Sequence, residues 1–223
     1  MVGIVVPMKK EAFHLLDSIQ DSQEVSLHSR KVITGRIEDV ACTIIISGCG
    51  KVKSASATQL LLSKYQCDNV IHFGVAGALN LKLQIGDIVL GKKIIEHDYY
   101  QKFGTHEKPP VVMSYETLSN KAIEFAEQTG RPLISGTIVS GNEDIVTGTR
   151  REELVGKFAG DSVDWESAAC AQVCDVMEIP FVVLRTIVDY AHEGTHKEFP
   201  RNFELSALNL CQFIYDFVAA KLK

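Results

Sequence analysis

The stretch FVVLRTIV, residues 181–188, decides the fold of this 223-residue chain. It is an apolar run interrupted by Arg185 and Thr186, and it predicts a β-strand buried on both faces. Pro180 separates it from a helix of small residues predicted over 167–176, and Asp189 follows its last apolar residue. A buried strand between helices is typical of an α/β protein.

Similar apolar runs alternate with amphipathic segments along the rest of the chain. This alternation predicts an α/β protein with a mostly parallel sheet, in a single domain over residues 1–223. The further predicted strands are 2–6, 31–37, 40–47, 69–75, 87–95, 133–140 and 162–165, and the further helices are 9–19, 51–65, 116–128, 150–158 and 203–222.

Charge and hydropathy argue against several functional classes. The chain has 23 Lys and Arg against 28 Asp and Glu, a formal charge of −5, without the basic excess of a nucleic-acid binder. No stretch approaches the ~20 apolar residues of a membrane helix. The N-terminal apolar run precedes the first charge, Lys9, which is the reverse of a signal peptide. We expect a cytoplasmic protein with no membrane or nucleic-acid partner.

The cysteines and two short motifs are also expected to be structural. None of the six cysteines forms a CxxC pair, and we expect reduced, mostly buried thiols. The segment HEGTH at 192–196 matches HExxH, but it contains Gly194 and is soon followed by Pro200, so no metal site is expected. The segment GCGK at 48–51 lacks the Ser or Thr of a phosphate loop and predicts a strand-to-helix turn.

Three carboxylates follow predicted strands and stand out as functional candidates. Glu11 follows the first strand, Glu166 lies at a strand-to-helix junction, and Asp189 ends the strand at 181–188. Each alone is compatible with a helix cap or a solvated strand end. Because parallel strands end on one rim of a sheet, the three together suggest an acid, a base and a hydroxyl ligand around a neutral substrate. The small residues GVAG at 74–77 end another strand and would let a ligand approach the backbone.

As an ordered set, several motifs resemble the nucleoside phosphorylase and hydrolase superfamily, in particular its methylthioadenosine/S-adenosylhomocysteine nucleosidase branch. The resemblance extends over nearly the whole chain and implies a three-layer α/β/α sandwich around a central twisted, mixed and mostly parallel sheet. The motifs are VGIVVPM at 2–8, SGCGKV at 47–52, GVAG at 74–77, LQIGDIV at 83–89, VSG at 139–141, VDWE at 163–166 and RTIVD at 185–189.

The resemblance implies a role for each matching residue. Glu11 is implied as the general base that activates water, and Asp189 as the acid that protonates the leaving purine. No metal or organic cofactor is implied, and a homodimer is expected in which the loop at 97–110 or a neighbouring helix completes the partner's pocket. The implied substrate-binding residues are Ala76, Ile145, Trp165 beneath the sugar, Glu166 on the ribose hydroxyls, Arg185 near the water and Phe199 over the 5′-substituent.

Departures from the family pattern bear on whether water or phosphate accepts the ribosyl group, and on which nucleoside is the substrate. His72 and Val75 stand where the related phosphorylases have Arg and Ser, which favours water over phosphate. Asp144 stands where the nucleosidases have a Phe that stacks on adenine, and Val188 where many have Ser. The alternatives are a phosphate-dependent phosphorylase, a hydrolase of another purine nucleoside such as futalosine, and a nucleoside-binding protein without activity.

Overall fold

A mixed β-sheet forms the centre of the computed structural model, which describes residues 1–99 and 109–222. The strands are β1 Val2–Val6, β2 Gln20–Leu27, β3 Arg30–Ile37, β4 Val40–Ile46, β5 Asn69–Ala78, β6 Ile88–Glu96, β7 Val111–Met113, β8 Ile134–Ser140, β9 Ser162–Asp164 and β10 Phe181–Asp189. The α-helices are α1 Phe13–Asp17, α2 Lys51–Tyr65, α3 Glu116–Thr129, α4 Gly148–Phe158, α5 Ser167–Val176 and α6 Thr195–Lys221.

The pairing of the strands places β1, β5 and β10 at the centre. β1 is parallel to both β4 and β5, and β5 is parallel to β10. On the other side of the sheet, β10 pairs with β6, β6 with β8, β8 with β9 and β9 with β5. Since β5 also pairs with β10, these strands form a closed ring. The sheet is mixed, as predicted. The hairpin of β3 and β4 agrees with the two adjacent strands predicted there. Antiparallel pairing is more extensive than the sequence indicated, because β2 also pairs with β3 and β6 runs against β10.

Alternate residues of the central strands face two different helical layers. Ile4 and Val6 pack in one apolar cluster with residues of α3 and α6, whereas Val5 packs in the other with residues of α2 and α5. This is the period-two pattern of a strand. All nine residues of β10 are buried, because helices cover both of its faces. The three-layer α/β/α arrangement predicted from the sequence is confirmed.

The N-terminal region differs from the helix predicted over 9–19. A 3₁₀ turn, Lys9–Glu11, is followed after Ala12 by the five-residue α1. The chain then enters β2, an exposed edge strand that the sequence analysis missed. Its polar sequence QDSQEVSL gives little apolar alternation, and its pairing with β3 supplies the hydrogen bonds.

The last helix begins earlier than predicted, at Thr195 instead of 203. Pro200 favoured a later start, but it is the sixth residue of α6, so the helix contains it. The short β7 was also missed, and it pairs with β6. Of the loop predicted at 97–110, residues 100–108 lie outside the described residues.

Candidate active site

A cavity of about 280 Å³ lies at the C-terminal ends of β1, β5 and β10. Seven of the eight predicted site residues line it, so the sheet brings together side chains far apart in the sequence. Its lining residues are Pro7, Met8, Glu11, Cys49, Val75, Ala76, Gly77, Glu143, Asp144, Ile145, Val146, Val163, Asp164, Trp165, Glu166, Val188, Asp189, Ala191, Thr195 and Phe199.

Glu11 is held at the end of the 3₁₀ turn that follows β1. Its Oε2 accepts a hydrogen bond from the backbone N–H of Met8 at 2.7 Å, and its Oε1 accepts one from that of Val75 at 2.9 Å. Burial raises the pKa of Glu11 to about 7, although the charge of Arg185 opposes the shift. A carboxyl with this pKa can exchange a proton near neutral pH, as a general base requires.

Glu166 lies immediately before α5 and contacts the backbone of Gly50. The N–H of Gly50 donates to Oε1 of Glu166 at 2.7 Å, which leaves Oε2 free to bind a ligand. Burial raises the pKa of Glu166 to about 7, again opposed by the charge of Arg185. Its position in the cavity suits an acceptor for hydroxyl groups.

Asp189 ends β10 and is oriented by the beginning of α6. Its Oδ1 accepts hydrogen bonds from the N–H of Ala191 at 2.9 Å and from the hydroxyl of Thr195 at 3.1 Å. Burial raises the pKa of Asp189, and these two hydrogen bonds oppose the shift. The raised pKa favours the protonated form that a general acid needs.

Two glycines of β5 make room for the functional side chains of β10. In the register of the two strands, Gly74 pairs with Arg185 and Gly77 with Asp189. A β-carbon at position 74 would lie 2.3 Å from Nη1 of Arg185 and 2.7 Å from Oε1 of Glu11. A β-carbon at position 77 would lie 2.8 Å from Oδ1 of Asp189. Glycine is therefore required at positions 74 and 77 because Arg185, Glu11 and Asp189 lie against the backbone there.

Arg185 is the one predicted site residue that does not line the cavity. Its side chain has no exposed surface and lies behind the carboxylates. Its Nε donates to Oδ2 of Asp164 at 2.5 Å, and its Nη2 lies 2.7 Å from Nε2 of His72. Contact between Arg185 and a nucleoside in the cavity is therefore not supported by this geometry.

Trp165 and the chain around 143–145 form a second wall of the cavity. The indole N–H of Trp165 donates to the carbonyl of Glu143 at 2.9 Å. The carboxylate of Glu143 is in turn held by two hydrogen bonds of 2.8 Å from Arg150. Asp144 and Ile145 follow in the same wall, so an exposed carboxylate takes the place of a stacking ring.

Phe199 contributes to the apolar part of the cavity, together with Pro7 and Met8. Its ring packs against that of Phe203 at 5.4 Å between centroids, and Nζ of Lys10 lies 5.2 Å from its centroid. Because α6 begins at Thr195, Phe199 is held by a helix instead of a loop.

Three contributors to the site were not recognised from the sequence. Cys49 lines the cavity and is half-exposed, whereas the other five cysteines are buried. Thr195 orients Asp189, and Asp164 neutralises Arg185. The motif VDWE contained Asp164, but its partner lies 21 residues away and only the fold reveals the pair.

The HExxH match does not form the helical arrangement of a zinc protease. His192 precedes α6, and His196 lies in its first turn. Nε2 of His192 lies 2.9 Å from Oε1 of Glu198, a contact that α6 provides. Over residues 1–99 and 109–222, His, Cys, Asp and Glu side chains form no cluster of three or more suited to a metal ion. In the same part of the chain, no helix is long and apolar enough to cross a membrane.

Comparison with known proteins agrees with this arrangement. A family model described as the phosphorylase superfamily matches residues 1–219. The chain belongs to this superfamily. It is 31% identical over 217 residues to the 5′-methylthioadenosine/S-adenosylhomocysteine nucleosidase of Glaesserella parasuis, an alignment that covers 92% of this chain and 93% of the relative.

Solved structures of superfamily members have the same fold. The nucleosidase of Neisseria meningitidis in complex with methylthio-immucillin-A superposes with a TM-score of 0.91 at 28% identity, covering 97% of each chain. The futalosine hydrolase of Helicobacter pylori superposes with a TM-score of 0.92 at 27% identity, covering 98% of this chain and 97% of the other. The resemblance and the fold class predicted from the sequence are therefore confirmed.

Proposed function

We propose that the protein hydrolyses the N-ribosyl bond of 5′-methylthioadenosine and S-adenosylhomocysteine, releasing adenine and the 5-thio-substituted ribose. The observation that carries the proposal is the convergence of Glu11, Glu166 and Asp189 on one cavity, each with one or both carboxylate oxygens fixed by hydrogen bonds. The names of the relatives given above support the same activity.

The proposed reaction divides the work among the three carboxyl groups. Cleavage of an N-ribosyl bond passes through an oxocarbenium-like state, so carboxylates beside the sugar stabilise its positive charge. Asp189 donates its proton to N7 of the purine as the bond from C1′ to N9 breaks and its electron pair moves to the base. Water attacks C1′ and gives a proton to Glu11, while Glu166 accepts hydrogen bonds from the ribose hydroxyls. Transfer of a proton from Glu11 to Asp189 through solvent restores the enzyme.

Water is the proposed acceptor of the ribosyl group because the two positions expected to bind phosphate, 72 and 75, carry neither a cation nor a hydroxyl group. His72 is neutral, since burial lowers its pKa to about 3. The guanidinium of Arg185 is paired with Asp164, and Val75 has no hydroxyl. A phosphate dianion bound there would lose its hydration without the contacts that an Arg at position 72 and a Ser at position 75 would provide.

Futalosine is a second candidate substrate, and a specific observation favours it. Asp144 lines the cavity in place of a stacking ring, and the futalosine hydrolase of H. pylori superposes as closely as the nucleosidases do. The reaction at the N-ribosyl bond would be the same, with a different base or 5′-group.

The test is chromatography of a nucleoside panel, with and without phosphate. The panel contains methylthioadenosine, S-adenosylhomocysteine, adenosine, inosine and futalosine. Release of adenine and free sugar without phosphate is expected, fastest from the two thio-nucleosides. Release only with phosphate would establish a phosphorylase, and tight binding without release would establish a binding protein.

We further propose a homodimer of single-domain subunits in the cytoplasm. The resemblance supports the dimer, as do Val52 on α2 and Val176 on α5, which are about four-fifths exposed on two helices packed together. The superfamily match over residues 1–219 supports one domain. Light scattering at assay concentration is expected to give twice the monomer mass, and a monomeric mass would contradict the dimer.

A further inference from the structure

His72 is a buried histidine whose ring has a defined tautomer. It lies on β5 with no exposed surface, two residues before Gly74. Its Nδ1 lies 2.9 Å from the carbonyl oxygen of Val5, an acceptor, so we assign the ring proton to Nδ1. The other nitrogen, Nε2, therefore carries a lone pair and accepts a hydrogen bond from Nη2 of Arg185 at 2.7 Å.

The surroundings keep this imidazole neutral. Burial and the positive charge of Arg185 together lower the pKa of His72 to about 3. The charge of Asp164 acts in the opposite direction but does not compensate. Because only the neutral ring has a lone pair, His72 is an acceptor for the guanidinium throughout the working pH range.

The hydrogen bonds of Arg185 leave one amino group without an acceptor. Nε donates to Asp164 and also lies 3.1 Å from Oγ of Ser167, while Nη2 donates to His72. Nη1 is buried, and the residues that the structure describes offer it no hydrogen-bond partner. An unpaired cationic donor in the interior is costly unless it serves a ligand.

The unpaired amino group lies beside the general base. The point where a β-carbon of Gly74 would lie is 2.3 Å from Nη1 of Arg185 and 2.7 Å from Oε1 of Glu11. The backbone N–H of Val75 is already donated to Glu11. The side chain of Val75 has no donor, so a water molecule at Glu11 must receive a hydrogen bond from another group.

We propose that His72 is a positioning residue for hydrolysis: it holds Nη2 of Arg185 so that Nη1 donates a hydrogen bond to the water activated by Glu11. Asp164 fixes the other side of the guanidinium. His72 thereby orients the reaction without contact to the substrate. The inference rests on the proposed hydrolase function.

Two variants test whether Arg185 needs a hydrogen-bond acceptor at position 72. His72→Gln places an oxygen acceptor at about the reach of Nε2, whereas His72→Leu has similar bulk and no acceptor. Because misplacement of a reacting group by about 1 Å lowers rates up to ~100-fold, we expect His72→Leu to lower kcat about 10- to 100-fold. KM is expected to change little, and His72→Gln is expected to recover most of kcat.

The pH profile separates positioning from a merely structural role. Glu11 faces Arg185 and Lys10, which lower its pKa, and lies near the carboxylate of Glu166. If the guanidinium moves away in His72→Leu, the pKa of Glu11 rises and the acidic limb of kcat/KM shifts to higher pH. In a variant shown to be folded, a fall in kcat/KM over the whole profile with an unmoved acidic limb would indicate a merely structural role and would overturn the proposal.

Folding is checked by thermal unfolding and by the fluorescence of Trp165, the only tryptophan, which lines the cavity and reports binding of adenine. If His72→Leu does not fold, His72→Met fills the same volume with only a weak acceptor. Suppose that the wild-type enzyme releases the base without phosphate, and that the folded variant has a normal kcat and an unshifted acidic limb. These results overturn only the positioning role. A wild-type enzyme that needs phosphate overturns the proposed function and this inference together.

Discussion

Gly77 and Asp189 are paired at the ends of β5 and β10, and a β-carbon at position 77 would lie only 2.8 Å from Oδ1 of Asp189. The same β-carbon would lie 3.3 Å from that of Ala191, whose N–H orients the carboxyl group. The absence of a side chain at position 77 is thus a condition for the position of Asp189, the proposed general acid.

The first prediction is that Gly77→Ala displaces Asp189 and lowers kcat up to ~100-fold. Gly156→Ala is the matched control, because a β-carbon at position 156, in α4, has no atom within 4 Å. The control should retain activity and gain about 0.5–1 kcal/mol in unfolding free energy, as expected for Gly to Ala within a helix. Steady-state kinetics measure kcat, and thermal unfolding measures stability. A normal kcat in Gly77→Ala would contradict the steric argument.

The second prediction concerns the acid. Asp189→Asn keeps an oxygen that accepts from Ala191 and Thr195 but has no carboxyl proton to give to the purine. We expect kcat to fall by ~10²- to 10⁴-fold, while adenine still quenches the fluorescence of Trp165. Asp175→Asn, the same change at an exposed position outside the cavity, is the control. A near-normal kcat in Asp189→Asn would refute the role of Asp189.

The third prediction follows from the raised pKa of Glu11. Because the base must be ionised and burial raises its pKa to about 7, kcat/KM should fall about tenfold per pH unit below 7. The pKa of Glu166 is raised to a similar value. A Glu166→Gln variant therefore shows which of the two carboxyl groups causes the fall of kcat/KM at acidic pH, the acidic limb of the profile. A limb that persists in Glu166→Gln belongs to Glu11, and its disappearance would assign the titration to Glu166.

The same shift has a consequence for stability. In the folded state Glu11 keeps its proton up to about pH 7, whereas its ordinary pKa is 4.5. The folded state therefore binds more protons between these values, and the contribution of Glu11 to unfolding free energy decreases as the pH rises through them. Glu11→Gln should remove this part of the decrease, so its melting temperature relative to wild type should rise between pH 5 and 8. A constant difference would argue against the raised pKa.

The fifth prediction concerns recognition of the purine base of the substrate. Asp144→Phe introduces a ring in the cavity wall, and aromatic stacking contributes about 0.5–1.5 kcal/mol. We expect KM for methylthioadenosine to fall about 2- to 10-fold, with little change in kcat. Asp144→Asn removes the charge without adding a ring and is the control. An equal effect of both variants would show that the charge, and not stacking, determines affinity.

Several features followed from the sequence because they depend on neighbouring residues. The run FVVLRTIV predicted a strand buried on both faces, and all nine residues of β10 are buried. Apolar periodicity also located the helices α2, α3 and α5 within a residue at each end. The edge strand β2 was missed because its residues are polar, and pairing across the sheet stabilises it.

The sequence by itself determined the alternation of strands and helices and the carboxylates at strand ends. Only the tertiary structure decided how those groups are held, because their partners come from distant parts of the chain. Glu11 is bound by the N–H of Val75, 64 residues away, and Glu166 by that of Gly50, 116 residues away. The pairing of His72 with Arg185 spans 113 residues. Local patterns carry no information on such contacts, which depend on the register of β5 against β10 and on burial that removes competing water.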